Sequence, residues 1–175
     1  MENIWFTSDT HFGHANILKY CGRDFSCVND MNRKLTENWN DLIAPDDLVY
    51  HLGDFSFKTD RYINYLNGKI ILIQGNHDNN KYNKLFHQVT RGMPLKIKEF
   101  NCYLIHRPIV EGDKSKKGYE PDFSLLDKYQ YIISGHTHVH EDNIVCGKNI
   151  NVGVDAWNMK PIHIDELARF LRSLK

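Results

Sequence analysis

Five short clusters of metal-binding residue types are spread along the chain: Asp9-Thr10-His11, Gly53-Asp54, Gly75-Asn76-His77-Asp78, His106 and Gly135-His136-Thr137-His138. Hard carboxylate oxygens, an amide oxygen and imidazole nitrogens in one set suit divalent transition metals. Two such ions held side by side are a means of cleaving phosphate esters. An Asp-x-His pair at a strand end can turn both side chains to one ion. Asp54 carries two carboxylate oxygens and one negative charge, so it can bridge two cations. Asn76 offers a neutral oxygen, and His106, His136 and His138 offer imidazole nitrogens. In His136-Thr137-His138 the i, i+2 spacing sends both rings to the same side of an extended segment.

Clusters so distant in sequence need a rigid frame to bring them to one point. Three follow apolar, β-branched runs directly: Ile4–Ser8, Leu48–Leu52 and Ile70–Gln74. The Gly-His-Thr-His follows Tyr131–Ser134. Such runs predict buried strands, with the clusters at their ends. Gly53, Gly75 and Gly135 open these loops and permit close backbone approach. Helices are expected at Ala15–Tyr20, Asn29–Ile43, Asp60–Leu66, Lys81–Phe86 and Ser124–Lys128. In the second of these, Met31, Leu35, Trp39, Leu42 and Ile43 share a face. Leu95–Phe100 and Cys102–Ile105 read as a hairpin turning at Asn101, and Ile144–Cys146, Asn149–Val154 and Pro161–Ile164 as late strands. Asp165 is the expected cap of a last helix that turns Leu167, Phe170, Leu171 and Leu174 inward. Helix-rich first and strand-rich later, the chain predicts an α/β (α+β) architecture of two packed sheets flanked by helices, in a single domain over residues 1–175.

Lysine plus arginine and aspartate plus glutamate balance at 22 each, so no global field steers the protein to nucleic acid or anionic membrane. The four cysteines show no Cys-x-x-Cys spacing and no disulfide framework. No apolar run approaches the ~20 residues of a spanning helix. The first strand starts at once, with no room for a signal peptide, so a cytoplasmic protein is expected.

Asp-x-His, Gly-Asp, Gly-Asn-His-Asp, His and Gly-His-x-His in this order resemble the calcineurin-like metallophosphoesterases, over residues 9 to 138. The resemblance implies a four-layer α-β-β-α sandwich. It implies one metal on Asp9, His11, Asp54 and His138, and a second on Asp54, Asn76, His106 and His136. The cofactor implied is two divalent metal ions, manganese ahead of iron, zinc, nickel or cobalt, with a bridging hydroxide as nucleophile. Ser8–His14 resembles a group of small single-domain members. One departure stands out: many members carry a charged residue shortly after Gly-Asp, where this chain reads Phe55-Ser56-Phe57.

His77 follows a ligand directly and is the candidate to assist the leaving group, with Asp78 a possible orienter of its ring. His14 and Arg107 are weaker candidates for touching substrate, Arg107 as a fork to phosphate oxygens. His51, His87, His140 and His163 read as structural or exposed. Asp113–Gly118 reads as a solvated loop, or as a flap meeting an anionic substrate. Asp155 or Trp157 can lie near the cleft, though core packing is the default for Trp157. The expected function is a metal-dependent phosphohydrolase acting on a small phosphate ester, a nucleotide among the candidates, with diesters favoured over monoesters. The alternatives are a nuclease and a non-catalytic partner-binding module, of which the retromer subunit with this fold is an example. The oligomeric state is left open.

Overall fold

The computed structural model describes residues 3–110, 120–140 and 144–174. Along the chain run β1 (Ile4–Thr7), α1 (Ile17–Tyr20), α2 (Val28–Asn40), β2 (Leu48–His51) and β3 (Lys69–Ile73). Then come β4 (Gln88–Thr90), β5 (Gly92–Ile97), β6 (Phe100–Ile105), α3 (Ser124–Lys128) and β7 (Tyr131–Ser134). The chain ends with β8 (Val145–Cys146), β9 (Asn149–Asn151), β10 (Ile162–His163) and α4 (Ile164–Ser173). Two mixed sheets result, ordered β10-β1-β2-β3-β4 and β5-β6-β7-β9-β8. In the first, β1 to β4 are parallel and β10 is antiparallel. In the second, β6, β7 and β9 are parallel, and β5 and β8 are antiparallel edges.

The continuous apolar runs are explained by a first sheet buried on both faces. Val49, Ile70 and Leu72 pack with Met31, Leu35 and Trp39 of α2. Their neighbours Tyr50, Leu52, Ile71 and Ile73 point the other way, into a core shared with Ile97, Phe100, Leu104 and Ile133 of the second sheet. Each fully buried aliphatic side chain contributes about 1.5–3 kcal/mol, so this two-sided burial gives the strand ends a stiff base. Leu167, Ala168 and Leu171 of α4 join the inter-sheet core. The C-terminal strand thus returns to the first sheet instead of extending the second.

Several expected boundaries move. The helix over Asp60–Leu66 is two 3-10 turns, Thr59–Arg61 and Ile63–Tyr65, parted by Tyr62 at φ −119°. Lys81–Phe86 is a 3-10 segment, Asn80–Leu85, whose start is capped by the Asn79 side chain accepting from the Lys81 amide. The hairpin turns at Lys98-Glu99, with Lys98 at φ 54°, while Asn101 pairs with Lys96 in the ladder. The edge strand β4, too short and polar to announce itself, was not foreseen. The last helix begins at Ile164 and is capped by the His163 side chain, which puts Asp165 in its first turn. Leu42 and Leu174, expected inside, are 38 % and 39 % exposed because both lie past the ends of their helices. The proposed flap over Asp113–Gly118 lies outside the described residues.

Candidate metal centre

All five clusters lie where strands of the two sheets end. Asp9 and His11 follow β1, Asp54 follows β2, Asn76 and His77 follow β3, His106 follows β6, and His136 and His138 follow β7. The loop after β1 runs as a ladder beside the loop after β2, with Asp9 N–H donating to Gly53 O (2.9 Å), His11 to Asp54 O (3.0 Å) and Phe12 to Phe55 O (2.9 Å). His51, buried at the end of β2, accepts from the Gly53 amide at Nδ1 (3.2 Å), so its Nε2–H faces Thr10 Oγ1 at 3.0 Å. That fastens the same two loops through side chains. Across the sheets, Asp9 Oδ2 accepts from His136 N–H at 2.8 Å.

The crowding sets residue types. A Cβ on Gly135 would overlap Ser8 Oγ and Asp9 Oδ2, and one on Gly75 would overlap the Asp54 carboxylate and amide. Asp9, His11, Asp54, His136 and His138 all adopt positive φ, between 48° and 71°. Non-glycine residues held there cost of order 1–3 kcal/mol each, a strain that the surrounding ladder must sustain.

The side chains converge in two groups. Asp9, His11 and His138 each place a donor atom within 4.8 Å of the others, and so do Asp54, His106 and His136. The groups touch, since His11 Nε2 is 3.6 Å from Asp54 Oδ2. Asn76 joins the second group, with Oδ1 3.2 Å from His106 Nε2. His106 Nδ1 donates to Leu52 O at 2.7 Å, and His138 Nδ1 donates to Asp155 Oδ2 at 2.9 Å. With Nδ1 so engaged, the Nε2 position of His106 faces Asn76 Oδ1 at 3.2 Å and Asp54 Oδ2 at 3.5 Å. That of His138 faces Asp9 Oδ1 at 4.0 Å. Ring nitrogens facing oxygens call for a proton or a cation between them. Asp9 Oδ1 and His11 Nε2 are moreover buried without any hydrogen-bond partner, a condition that costs roughly 1–3 kcal/mol per group. These residues therefore fit a pair of cations.

Without a cation a proton takes its place on two of the ligands: burial disfavours the charged imidazoles of His106 and His138, but the Asp54 and Asp155 carboxylates outweigh it and raise both pKa values, that of His138 to about 10. Burial drives the His11 pKa down to about 2 and that of His136 to about 4, so both imidazoles are neutral ligand forms at neutral pH. Burial raises the carboxyl pKa of Asp9. Burial also opposes ionisation of Asp54, but the hydrogen bond and charge of His106 and the His77 N–H outweigh it and lower the pKa.

Behind the ligands stand residues of two kinds. On one side, buried Arg23 grips Asp155 through Nε (2.7 Å) and Nη2 (2.8 Å), and also donates to Asp9 O (2.6 Å) and Thr10 O (3.1 Å). Arg23 gave no signal in the sequence, because its partner is 132 residues away. On the other side, Asp78 accepts from the amides of Asp54 (2.8 Å), Phe55 (2.9 Å) and Gly75 (2.8 Å). It thus holds backbone and does not orient His77, since its carboxylate turns inward where the His77 ring turns outward. Trp157 packs on Phe170 and donates to Asn151 O (2.8 Å), away from the cleft, whereas Asp155 lies against His138.

His77 is 46 % exposed, with Nε2 4.0 Å from Asp54 Oδ2. His14, half-buried, contacts the His11 ring at 5.5 Å and that of Phe57 at 4.8 Å. Phe57 occupies the departure noted after Gly-Asp and stands exposed, edge-on to His77 at 5.4 Å. Arg107 is buried, and its Nη2 donates to Asn76 Oδ1 at 3.2 Å. His87 and His140 are exposed. Among the described residues no helix is long and apolar enough to cross a membrane.

A family model described as the calcineurin-like phosphoesterase superfamily domain matches residues 3–154. An uncharacterized protein, MJ1445, of Methanocaldococcus jannaschii is 37 % identical over 189 residues, covering all of this chain and 94 % of its own length. The gene 66 protein of Mycobacterium phage D29 is 27 % identical over 201 residues, covering all of this chain and 98 % of the phage protein. The crystal structure of AQ665, a protein of unknown function from Aquifex aeolicus, superposes with a TM-score of 0.73 at 25 % identity, over 97 % of this chain and 100 % of that one.

Proposed function

The chain belongs to the calcineurin-like phosphoesterase superfamily, and from that premise we propose that it is a dinuclear metal-dependent phosphohydrolase, acting on phosphodiesters in preference to monoesters. The observation that carries this reading is the pair of touching donor groups, with Asp54 between them and with Asp9 Oδ1 and His11 Nε2 buried without partners. Asp9, His11, Asp54 and His138 would hold one cation, and Asp54, Asn76, His106 and His136 the other. When bound, the two ions would supply positive charge for the phosphoryl oxygens and lower the pKa of the attacking water. Asp54 offers Oδ2 to both sides, while its Oδ1 accepts from His77 N–H at 2.8 Å and so fixes where the His77 side chain starts. From there the exposed imidazole lies between the His11 ring (5.7 Å) and the Phe57 ring (5.4 Å), where it can donate a hydrogen bond or proton to the leaving oxygen. Arg107, anchored on Asn76, adds fixed positive charge beside the second group of donors.

The test is turnover of bis-p-nitrophenyl phosphate and p-nitrophenyl phosphate by protein loaded with manganese, followed by the His77→Ala variant. The expected result is metal-dependent cleavage, faster on the diester. His77→Ala should keep two equivalents of metal and lose about a hundredfold or more on esters of poor leaving groups, but little on p-nitrophenyl esters. Absence of metal-dependent turnover on both substrates and on a nucleotide panel would overturn the reading and leave a partner-binding role for the fold.

A further inference from the structure

Beside the Asp54 side of the centre lies a cavity of about 480 Å³, lined in part by residues that the cleavage reading does not involve, Arg91 among them. It is within the size range of small-molecule sites and far larger than one phosphoryl group needs. Asn76 and His106 form part of its wall, so whatever occupies it lies beside two of the candidate metal ligands. Two guanidinium groups share the lining. Arg107 is buried and oriented by its bond to Asn76. Arg91 is exposed, on the single-residue link between β4 and β5, and reaches the cavity from the rim.

The lining carries one carboxylate, Asp78, but three backbone amides already point their dipoles at it. The lining thus sets two cationic side chains against one carboxylate that is already hydrogen-bonded. Gln74 donates to Asn80 across the rim, which stiffens the entrance with neutral amides, and Ile105 supplies an apolar wall. An apolar wall lowers the local dielectric and strengthens whatever ion pair forms against it. A guanidinium presents paired N–H donors matched to phosphate oxygens, and two of them facing one space suit a dianion with several oxygens.

We propose that this cavity is a subsite for a second phosphoryl group of the substrate, held between Arg91 and Arg107. The substrate class is then a bisphosphorylated compound, esterified at one phosphoryl group, and the second group is bound but not cleaved. This rests on the hydrolase reading above.

Two probes that share p-nitrophenol as leaving group decide it: thymidine 5′-(p-nitrophenyl phosphate) with and without a 3′-phosphate. With manganese, kcat/KM should be at least about tenfold higher on the probe carrying the 3′-phosphate. Arg91→Gln should remove that preference while leaving the rate on the other probe unchanged. Equal rates on both probes, or a preference that survives Arg91→Gln, would overturn the subsite. A titration in EDTA separates this from failure of the hydrolase reading. Thymidine 3′,5′-bisphosphate should bind wild-type protein at least about tenfold more tightly than thymidine 5′-monophosphate, and Arg91→Gln should abolish the difference. If neither probe is cleaved, the hydrolase reading falls, and equal affinities in that titration would sink the subsite as well.

Discussion

Two buried aspartates stand at opposite ends of the first sheet. Asp47, before β2, is 5 % exposed and has its carboxylate fully engaged. Asn3 Nδ2 donates to Oδ1, and Trp5 Nε1 and the Ala44 amide donate to Oδ2, each at 3.0 Å. Asp9, after β1, is 0 % exposed, sits at φ 58°, and leaves Oδ1 without a partner. One end of the sheet is satisfied and the other is strained and under-bonded. Stability is spent where ligands must converge, and recovered where nothing but folding is at stake.

The largest effect that can break this contrast comes from Asp9→Asn. The amide keeps the shape and the oxygen that accepts from His136 N–H, but removes the charge. Turnover should fall about a thousandfold, the equivalent of about 4 kcal/mol of transition-state stabilisation. In EDTA, however, the variant should melt no lower than wild type, because a buried, under-bonded carboxylate has been replaced by a neutral group. A clear drop in melting temperature would make Asp9 a stability residue like Asp47 and erase the distinction.

Within the centre the same contrast recurs on a smaller scale. The Asp9–His11–His138 side is braced by side chains, through the buried Arg23–Asp155 pair. The Asp54–Asn76–His106–His136 side is braced by backbone, through Leu52 O under His106 and the amides around Asp78. Asp155→Asn removes the carboxylate that orients His138, so one of two manganese affinities should fall about 10–100-fold while the other stays. Calorimetric titration reads the two sites separately, and an equal loss at both would show that the bracing is shared. Asp78→Asn should weaken both sites, since it loosens the loop carrying Asp54, which both share, as well as the loop carrying Asn76.

How much of this could be read from residue order follows the same division. The strand ends were legible because each apolar run stops at a ligand cluster: Thr7-Ser8 before Asp9, Leu52 before Gly53, Ile105 before His106. Those runs, apolar without a break, marked strands buried on both faces but did not tell that Tyr50, Leu52, Ile71 and Ile73 face the second sheet. The bracing was not legible. Arg23 meets Asp155, and Asn151 Nδ2 meets Thr137 Oγ1 (2.9 Å), only after both sheets have formed. The hairpin was misplaced by two to three residues because a lysine, not an asparagine, takes the positive φ. Asp78 was legible as a candidate but not in its role, which depends on three amides from two loops.

The smallest expected effect tests the satisfied end. Burial pushes the Asp47 pKa up, yet the Ala44 amide and the side chains of Trp5 and Asn3 outweigh it, and the net shift is down. A carboxyl with a folded pKa below its unfolded value of about 3.9 stabilises the native state above that value, and loses the contribution as pH falls through the folded pKa. Asp47→Asn should therefore cost about 1–2 kcal/mol at pH 7, the scale of hydrogen bonds to a charged group. Urea unfolding of both proteins from pH 7 down to about 2.5 should show the gap closing below pH 4, as wild type takes up the proton that the variant cannot bind. Metal affinity and turnover at pH 7 should be unchanged. A gap that stays constant with pH would mean that shape, not charge, makes Asp47 useful. A loss of metal would join the two ends of the sheet into one unit.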